Sequence, residues 1–180
     1  MRVITGQARG RRLKELPGQQ TRPTTDRVKE GLFSSIQFDI EGRRALDLFA
    51  GTGQLGIEAL SRGADSCVFL DQRKDATALV RENLQLTGLQ EQGRVLQRDA
   101  MDYLSSCHER FDLIFLDPPY ESGLLEKALE KIAAFDILSP HGIIVAECPA
   151  EHILPETLGT FSLYRSYRYG KIKVTVYHHD

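Results

Sequence analysis

Residues 45–56, ALDLFAGTGQLG, carry the pattern from which the fold of this chain can be predicted. The stretch opens as an apolar run of strand length and continues into the glycine spacing GxGxxG, directly before a helical stretch. Glycine allows a tight turn and close approach of a ligand to the backbone, and a helix N-terminus offers unpaired N–H groups. The stretch therefore predicts a strand, a ligand-binding loop and a helix, in that order.

Strand-like runs alternate with helical stretches from residue 43 onward, which is typical of a parallel α/β sheet. The predicted strands are residues 44–49, 66–70, 94–97, 112–116 and 142–147. Helices are predicted to begin near Gln54, Arg73, Ala100 and Gly123. Two β-rich runs, 160–167 and 171–178, are so close in sequence that they predict an antiparallel hairpin. We therefore expect an α/β fold with a mostly parallel, seven-stranded sheet that ends in this hairpin.

The residues before the first strand differ in charge from the rest of the chain. The net charge of the 180 residues is −2, but residues 1–31 hold eight of the 23 Lys and Arg and three acidic residues. This segment carries +5 and the remainder −7. A basic arm on an acidic body is typical of phosphate contact, although a solvated arm without a partner has the same composition. We predict residues 1–23 as the arm, with a short hairpin, and residues 24–180 as one domain.

The sequence shows no sign of membrane insertion or secretion. No apolar stretch approaches the roughly 18 residues that a bilayer span needs, and residues 1–5 lack a long apolar core. We therefore expect a cytoplasmic protein without a membrane partner. Cys67, Cys107 and Cys148 are odd in number and form no CxxC pair, so neither a disulfide framework nor a metal site is predicted.

Aspartates follow the predicted strands at the edge where an α/β sheet binds ligands. Asp71 comes 20 residues after Gly51 and can accept hydrogen bonds from a ribose. Asp47 precedes the glycine loop, where a carboxylate would pair with an ammonium group and repel a pyrophosphate. This favours S-adenosylmethionine over a nicotinamide dinucleotide. Asp99 can accept from an adenine amine, and it can equally cap the helix that begins at Ala100.

The run FDLIFL, residues 111–116, is followed by Asp117, Pro118, Pro119 and Tyr120. The run predicts a buried strand, and the prolines end its hydrogen-bond ladder and stiffen the turn. A carboxylate, rigidly held carbonyls and an aromatic face suit an exocyclic amino group on a planar ring. The alternative is a Pro-rich turn with a buried tyrosine and no function.

Together, residues 47–56, Asp71, Asp99 and residues 117–120 resemble the ordered motifs of class I S-adenosylmethionine-dependent methyltransferases. The turn at 117–120 resembles the motif of enzymes that methylate exocyclic amino nitrogens. Residues 2–12 and the segment RPTTDRVKE, 22–30, resemble the RsmD family of bacterial enzymes, which methylate a guanine N2 in small-subunit ribosomal RNA. The resemblance covers nearly the whole chain.

The resemblance implies a Rossmann-like class I fold, S-adenosylmethionine as cofactor without a metal, and 16S ribosomal RNA as partner, within a small-subunit particle. We expect a monomer. The implied catalytic residues are Asp117, Pro118 and Tyr120. The implied cofactor residues are Thr24, Asp47, Phe49, Ala50, Gly51, Thr52, Gly53, Asp71, Asp99, Ala100 and Asp117. The candidates for RNA binding are Arg9, Arg11, Arg12, Arg22 and Lys171.

Two of these residues have a second interpretation, because Arg22 could contact phosphate or cofactor and Thr24, like Thr25, could cap the first helix. In the implied mechanism, Asp117 and the Pro118 carbonyl accept the two hydrogens of the target amine. Three alternative functions remain open. They are an adenine-N6 methyltransferase, a nicotinamide oxidoreductase and a non-catalytic RNA-binding assembly factor.

Overall fold

The computed structural model describes residues 1–17, 25–120 and 122–180. Within these ranges the chain forms five helices and eight strands. The helices are α1 (Asp26–Ser35), α2 (Gln54–Ser61), α3 (Lys74–Thr87), α4 (Ala100–Ser106) and α5 (Leu124–Ala134). The strands are β1 (Arg44–Asp47), β2 (Ser66–Asp71), β3 (Gly93–Gln97), β4 (Phe111–Leu116), β5 (Leu138–Pro149), β6 (Thr157–Leu158), β7 (Phe161–Tyr169) and β8 (Ile172–His179). None of the helices in these ranges is long and apolar enough to cross a membrane.

The strands form a single mixed sheet in the order β3-β2-β1-β4-β5-β8-β7-β6. β1 to β5 are parallel to their neighbours, and β5, β8, β7 and β6 pair antiparallel. The predicted α/β fold with a terminal antiparallel hairpin is confirmed. The sheet has one strand more than predicted, because Thr157 and Leu158 pair with β7, and two residues are too few to show a periodic pattern.

Helices cover both faces of the sheet, as the βαβ alternation requires. α1, α2 and α3 pack on one face, where Phe33 of α1 lies 5.7 Å from Phe115 of β4, between ring centroids. α4 and α5 pack on the other face through residues such as Leu104 and Leu129. The central strands are therefore buried on both sides, which explains their continuous apolar sequences.

Two glycines of the GxGxxG spacing have separate structural roles. Gly53 precedes α2 with φ of 84°, a left-handed conformation that side chains disfavour, and so allows the sharp turn into the helix. Gly56 lies inside α2, where an added Cβ would come within 2.3 Å of the Phe69 ring. The spacing thus provides both a tight loop and close packing of α2 on β2.

The N-terminal segment forms the expected short hairpin, closed by a bridge between Arg2 and Arg12. It packs on the body through Val3, Ala8 and Leu13, which are buried. The predicted boundary between arm and domain, at residues 23 and 24, lies outside the described residues, so the division into an arm and a domain stays a prediction.

Buried polar contacts hold the hairpin in place. Glu58 of α2 is fully buried and accepts hydrogen bonds from the backbone N–H groups of Ile4 at 2.9 Å and Thr5 at 3.0 Å. Its carboxylate also pairs with Lys29 at 3.1 Å and Arg62 at 2.9 Å. Because a buried carboxylate needs such partners, hairpin, α1 and α2 are joined by one network.

Candidate active site

A cavity of about 660 Å³ opens at the carboxyl ends of β1, β2, β3 and β4. It is lined by residues 47–52, 71–73, 98–101 and 117–120, which follow these four strands. This is the edge at which open α/β sheets bind ligands, and the volume is in the range of small-molecule sites. Within the described ranges, the structure therefore brings together the cofactor and catalytic residues predicted from the sequence. The exception is Gly53, which adjoins the cavity as the residue before α2.

Asp47 ends β1 and is only 2% exposed. Its Oδ2 accepts the backbone N–H of Gly56 in α2 at 3.0 Å. Burial raises the pKa of Asp47 to about 7, and the Gly56 hydrogen bond only partly opposes this. A cation placed beside Asp47 would favour its ionised form, so the site is suited to an ammonium group.

Asp71 holds the glycine loop from the neighbouring strand β2. Its Oδ2 accepts the N–H of Gly51 at 3.0 Å, and its Oδ1 accepts the N–H of Arg73 at 2.9 Å. Each carboxylate oxygen can accept a further hydrogen bond, so this arrangement leaves capacity for ribose hydroxyl groups. The loop and the carboxylate are thus positioned by each other.

Asp99 caps α4, as one of its two interpretations predicted. Its Oδ1 accepts the backbone N–H of Asp102 at 3.0 Å. Asp99 and Ala100 also line the cavity, beyond the end of β3. The helix cap is confirmed, and it fixes a carboxylate at the cavity wall.

The turn at Asp117 to Tyr120 forms the wall of the cavity beyond β4. Pro118 is buried, and Tyr120 is 43% exposed, so its ring is accessible at the mouth of the cavity. The Pro119 carbonyl accepts the Ser122 hydroxyl at 2.7 Å, which holds the turn before α5 begins. Phe115 of β4 pairs with the buried Asp47 of β1 in the sheet. Asp117 comes two residues after Phe115.

The N-terminal hairpin supplies a cavity wall that the sequence did not predict. Met1, Glu15 and Leu16 line the cavity, and the Thr52 hydroxyl lies 3.5 Å from the Met1 sulfur. Within residues 1–23, a cofactor contact is predicted from the sequence only for Arg22, and the rest of the arm is predicted to contact RNA or to be solvated. No local pattern could reveal this second role, because these residues reach the cavity only through folding of the hairpin against the body.

Asn83 of α3 is a further residue that was not predicted from the sequence. It is fully buried, and its Nδ2 donates to the carbonyls of Thr52 at 2.9 Å and of Lys14 at 3.1 Å. Its Oδ1 accepts the Lys14 N–H at 2.8 Å. A polar residue on the apolar face of a predicted helix is a signal that could have identified it, since buried amides are retained where their hydrogen bonds are needed.

The predicted RNA-binding residues lie in two separate places. Arg9, Arg11 and Arg12 are exposed on the hairpin, and Arg11 donates to the carbonyl of Leu86 at 3.2 Å. α3 begins at the edge of the cavity and runs away from it, and Leu86 is in its last turn. Arg11 therefore lies at the end of α3 that is farther from the cavity.

Lys171 is exposed in the turn between β7 and β8, and its carbonyl accepts the N–H of Ala150, directly after β5. Because β4 and β5 are parallel, Lys171 lies at the same edge of the sheet as Asp117. Arg22 and Thr24 lie outside the described residues. The helix cap is observed at Thr25, whose side chain accepts the Val28 N–H.

Comparison with known proteins places this architecture in a family. Residues 1–178 match the family model described as Conserved hypothetical protein 95. The chain is 44% identical over 180 residues to a Bacillus subtilis protein named "Putative rRNA methyltransferase YlbH", with 98% of each chain covered. It is 33% identical over 180 residues to the "Ribosomal RNA small subunit methyltransferase D" of Escherichia coli K12, covering 100% of this chain and 90% of that protein.

Solved structures agree with these sequence relationships. The Escherichia coli structure titled "Putative methyltransferase yhhF" superimposes with a TM-score of 0.90 at 34% identity, covering 100% of this chain and 98% of that chain. A family match over nearly the full length, together with relatives above 30% identity over whole chains, agrees with the motifs recognised in the sequence. The chain therefore belongs to the RsmD family, to which the ribosomal RNA small subunit methyltransferases D belong.

Proposed function

We propose that this protein transfers a methyl group from S-adenosylmethionine to the exocyclic N2 amino group of a guanine in small-subunit ribosomal RNA. One observation carries the proposal. The Asp117 to Tyr120 turn lines the same cavity as the Gly51 loop and the Asp71 carboxylate. An acceptor site for a ring amine therefore adjoins a site for a nucleoside cofactor. The names of the relatives support ribosomal RNA as the substrate class.

The described residues fit the proposed cofactor along the whole cavity. Asp47 would pair with the ammonium group, and the loop at residues 51–53 would pass close to the cofactor backbone. Asp71 would accept from the ribose hydroxyls, and Asp99 would border the adenine. When bound, S-adenosylmethionine supplies an electrophilic methyl group on its sulfonium sulfur.

Asp117 and Pro118 prepare the target amine for attack. The lone pair of a guanine N2 is delocalised into the ring, which makes the nitrogen a poor nucleophile. If the Asp117 carboxylate and the Pro118 carbonyl accept its two hydrogens, they favour a pyramidal nitrogen with a directed lone pair. Positive charge then develops on the nitrogen, and the fixed carboxylate stabilises it. The surplus proton passes from the nitrogen to solvent after transfer, and S-adenosylhomocysteine is the leaving group.

Tyr120 and the basic side chains would present the RNA. A base must be unpaired before its edge can react, and the exposed Tyr120 ring offers a face on which it can stack. Lys171, at the same edge of the sheet, would contact a phosphate near the target base. Arg9, Arg11 and Arg12 would contact RNA farther away, which is consistent with a large, structured substrate.

The test is incubation with cofactor carrying a labelled methyl group and undermethylated small ribosomal subunits, followed by mapping of the labelled base. Naked 16S RNA in a parallel reaction separates the free RNA from the particle as substrate. We expect label on the N2 of one guanine. Label on an adenine N6 would contradict the target assignment, and transfer to neither RNA would contradict the activity.

A further inference from the structure

Gln54, the first residue of α2, has a buried polar atom that the proposed roles above do not use. The residue is 7% exposed and lines the cavity. Its Oε1 is buried and has no hydrogen-bond partner. Across residues 1–17, 25–120 and 122–180, it is the one buried side-chain polar atom that lacks a partner. Every other such atom in these ranges has found a partner, so this exception needs a physical explanation.

An unpaired buried acceptor destabilises the folded chain, because the atom loses its hydrogen bond to water and gains nothing in return. Such an atom in a cavity wall is explained when a ligand supplies the missing donor. The donors of the proposed cofactor are its ammonium group, its ribose hydroxyls and its adenine amine. The position of Gln54 selects among these three.

Gln54 lies at the Asp47 end of the cavity. It shares the first turn of α2 with Gly56, whose N–H is 3.0 Å from the Asp47 carboxylate. The acceptors proposed for the ribose and the adenine, Asp71 and Asp99, follow β2 and β3, which lie progressively farther from this point in the sheet. The donor nearest to Gln54 is therefore the group that pairs with Asp47.

We propose that Gln54 Oε1 accepts a hydrogen bond from the α-ammonium group of S-adenosylmethionine, beside the ionic partner Asp47. This assignment makes Gln54 a specificity residue for the amino-acid portion of the cofactor. It rests on the proposed cofactor and on the role of Asp47, and it is independent of the RNA target.

The experiment compares two ligands that differ in the amino-acid portion. S-adenosylhomocysteine contains the ammonium group, whereas 5′-methylthioadenosine has the same nucleoside and lacks the amino acid. Calorimetric titration with both ligands is carried out on the unaltered protein, on Gln54→Met and on Gln54→Glu. Met removes the acceptor at similar volume, and Glu preserves an acceptor oxygen. Thermal unfolding without ligand is measured for all three proteins.

We expect Gln54→Met to bind S-adenosylhomocysteine about tenfold more weakly, as for one lost hydrogen bond to a charged group, and 5′-methylthioadenosine within about twofold. Gln54→Glu should recover most of the lost affinity. The melting temperature of Gln54→Met without ligand should be equal or higher, because the substitution removes an unpaired buried atom. A residue that only supports the fold would instead lower the melting temperature.

Four results would overturn the proposal. An equal loss for both ligands would assign Gln54 to the nucleoside, and no loss for either ligand would remove it from the cofactor site. If Gln54→Glu binds as weakly as Gln54→Met or more weakly, the side chain donates to the cofactor carboxylate instead of accepting from the ammonium. If the unaltered protein binds neither ligand, the proposed cofactor itself is contradicted. None of these measurements depends on which RNA is the target.

Discussion

Asn83 in α3 donates a hydrogen bond to the carbonyl of Thr52 in the glycine loop at 2.9 Å. The same amide both donates to and accepts from the backbone of Lys14 in the N-terminal segment. One fully buried side chain therefore joins the loop that would contact the cofactor to Lys14, two residues after the Arg2–Arg12 bridge of the basic hairpin. Because the hairpin also lines the cavity through Met1 and Leu16, its position and the shape of the cofactor site are physically linked.

The first prediction concerns this link. Asn83→Leu should lower the free energy of unfolding by about 1–3 kcal/mol, because it leaves buried backbone groups of Thr52 and Lys14 unpaired. It should also weaken S-adenosylhomocysteine binding about tenfold or more, through displacement of the loop. Thermal unfolding and calorimetric titration measure the two effects.

Thr87→Val is the matched control for Asn83→Leu. Thr87 is buried one turn later in the same helix, and its hydroxyl bonds only to the carbonyls of Asn83 and Leu84. Its replacement should cost stability without changing ligand affinity. If both variants weaken binding in proportion to their loss of stability, Asn83 has only a structural role.

The second prediction concerns Asp117. Asp117→Ala should reduce kcat for methyl transfer by at least about 10²–10³-fold, because the developing charge on the target nitrogen loses its fixed carboxylate. Binding of S-adenosylhomocysteine should change only a few-fold. The assay requires the RNA substrate identified by base mapping.

Asp112→Asn provides a comparison in β4, the strand that leads to Asp117. Asp112 lies near the other end of β4, where its Oδ2 accepts the Arg44 N–H at 2.9 Å. This variant should retain near-normal turnover. Near-normal turnover of Asp117→Ala on its true RNA would instead refute the proposed mechanism.

The third prediction is a pH dependence that arises from Asp47. Burial raises its pKa to about 7, so the carboxyl group is largely protonated below that pH. An ammonium ligand pairs with the ionised form, and S-adenosylhomocysteine affinity should therefore fall about tenfold for each pH unit below 7. Titrations between pH 5.5 and 8.5, at about one-unit steps, cover this transition. Asp47→Asn should bind more weakly and lose this slope, and an unaltered slope in that variant would assign the dependence to another group.

The same pKa has an opposite consequence for stability without ligand. Because the pKa of Asp47 is higher in the folded than in the unfolded chain, the folded state binds more protons between the two values. The contribution of Asp47 to stability is therefore greatest at low pH and is lost as the pH rises to about 7. Asp47→Asn should be more stable than the unaltered protein at pH 8, as chemical denaturation would show, and lower stability at that pH would contradict the assignment.

The fourth prediction concerns the hairpin arginines. Combined replacement of Arg9, Arg11 and Arg12 by Gln should weaken RNA binding and reduce the slope of log affinity against log salt by about 0.7–0.9 for each lost phosphate contact. Arg110→Gln removes a positive charge that is already paired with Asp136, and it should leave the slope nearly unchanged. An unchanged slope in the triple variant would refute RNA contact by the hairpin.

Much of the fold was predictable because its signals are local. The alternation of apolar runs and helical stretches follows from burial on both faces of a parallel sheet. The observed strands begin within one residue of prediction, apart from β5 and from β6, which the sequence did not predict. β5 begins four residues earlier, at Leu138, and includes His141 with φ of 63°. This irregular start conceals the strand pattern, because His141 interrupts the extended backbone.

The sequence by itself determined which aspartates would meet at one edge of the sheet. Asp47 and Asp71 end strands, and Asp99 and Asp117 follow strands within two residues. Because parallel strands end at one edge, order along the chain was sufficient to group the four aspartates. Tertiary structure alone decided that the basic hairpin forms a wall of the cavity, that Asn83 joins it to Thr52, and that Gln54 has an unpaired oxygen there. The first two relationships are contacts between residues far apart in the chain, and the third depends on whether a buried atom finds a hydrogen-bond partner. Neither long-range contact nor the pairing of a buried atom leaves a local pattern in the sequence.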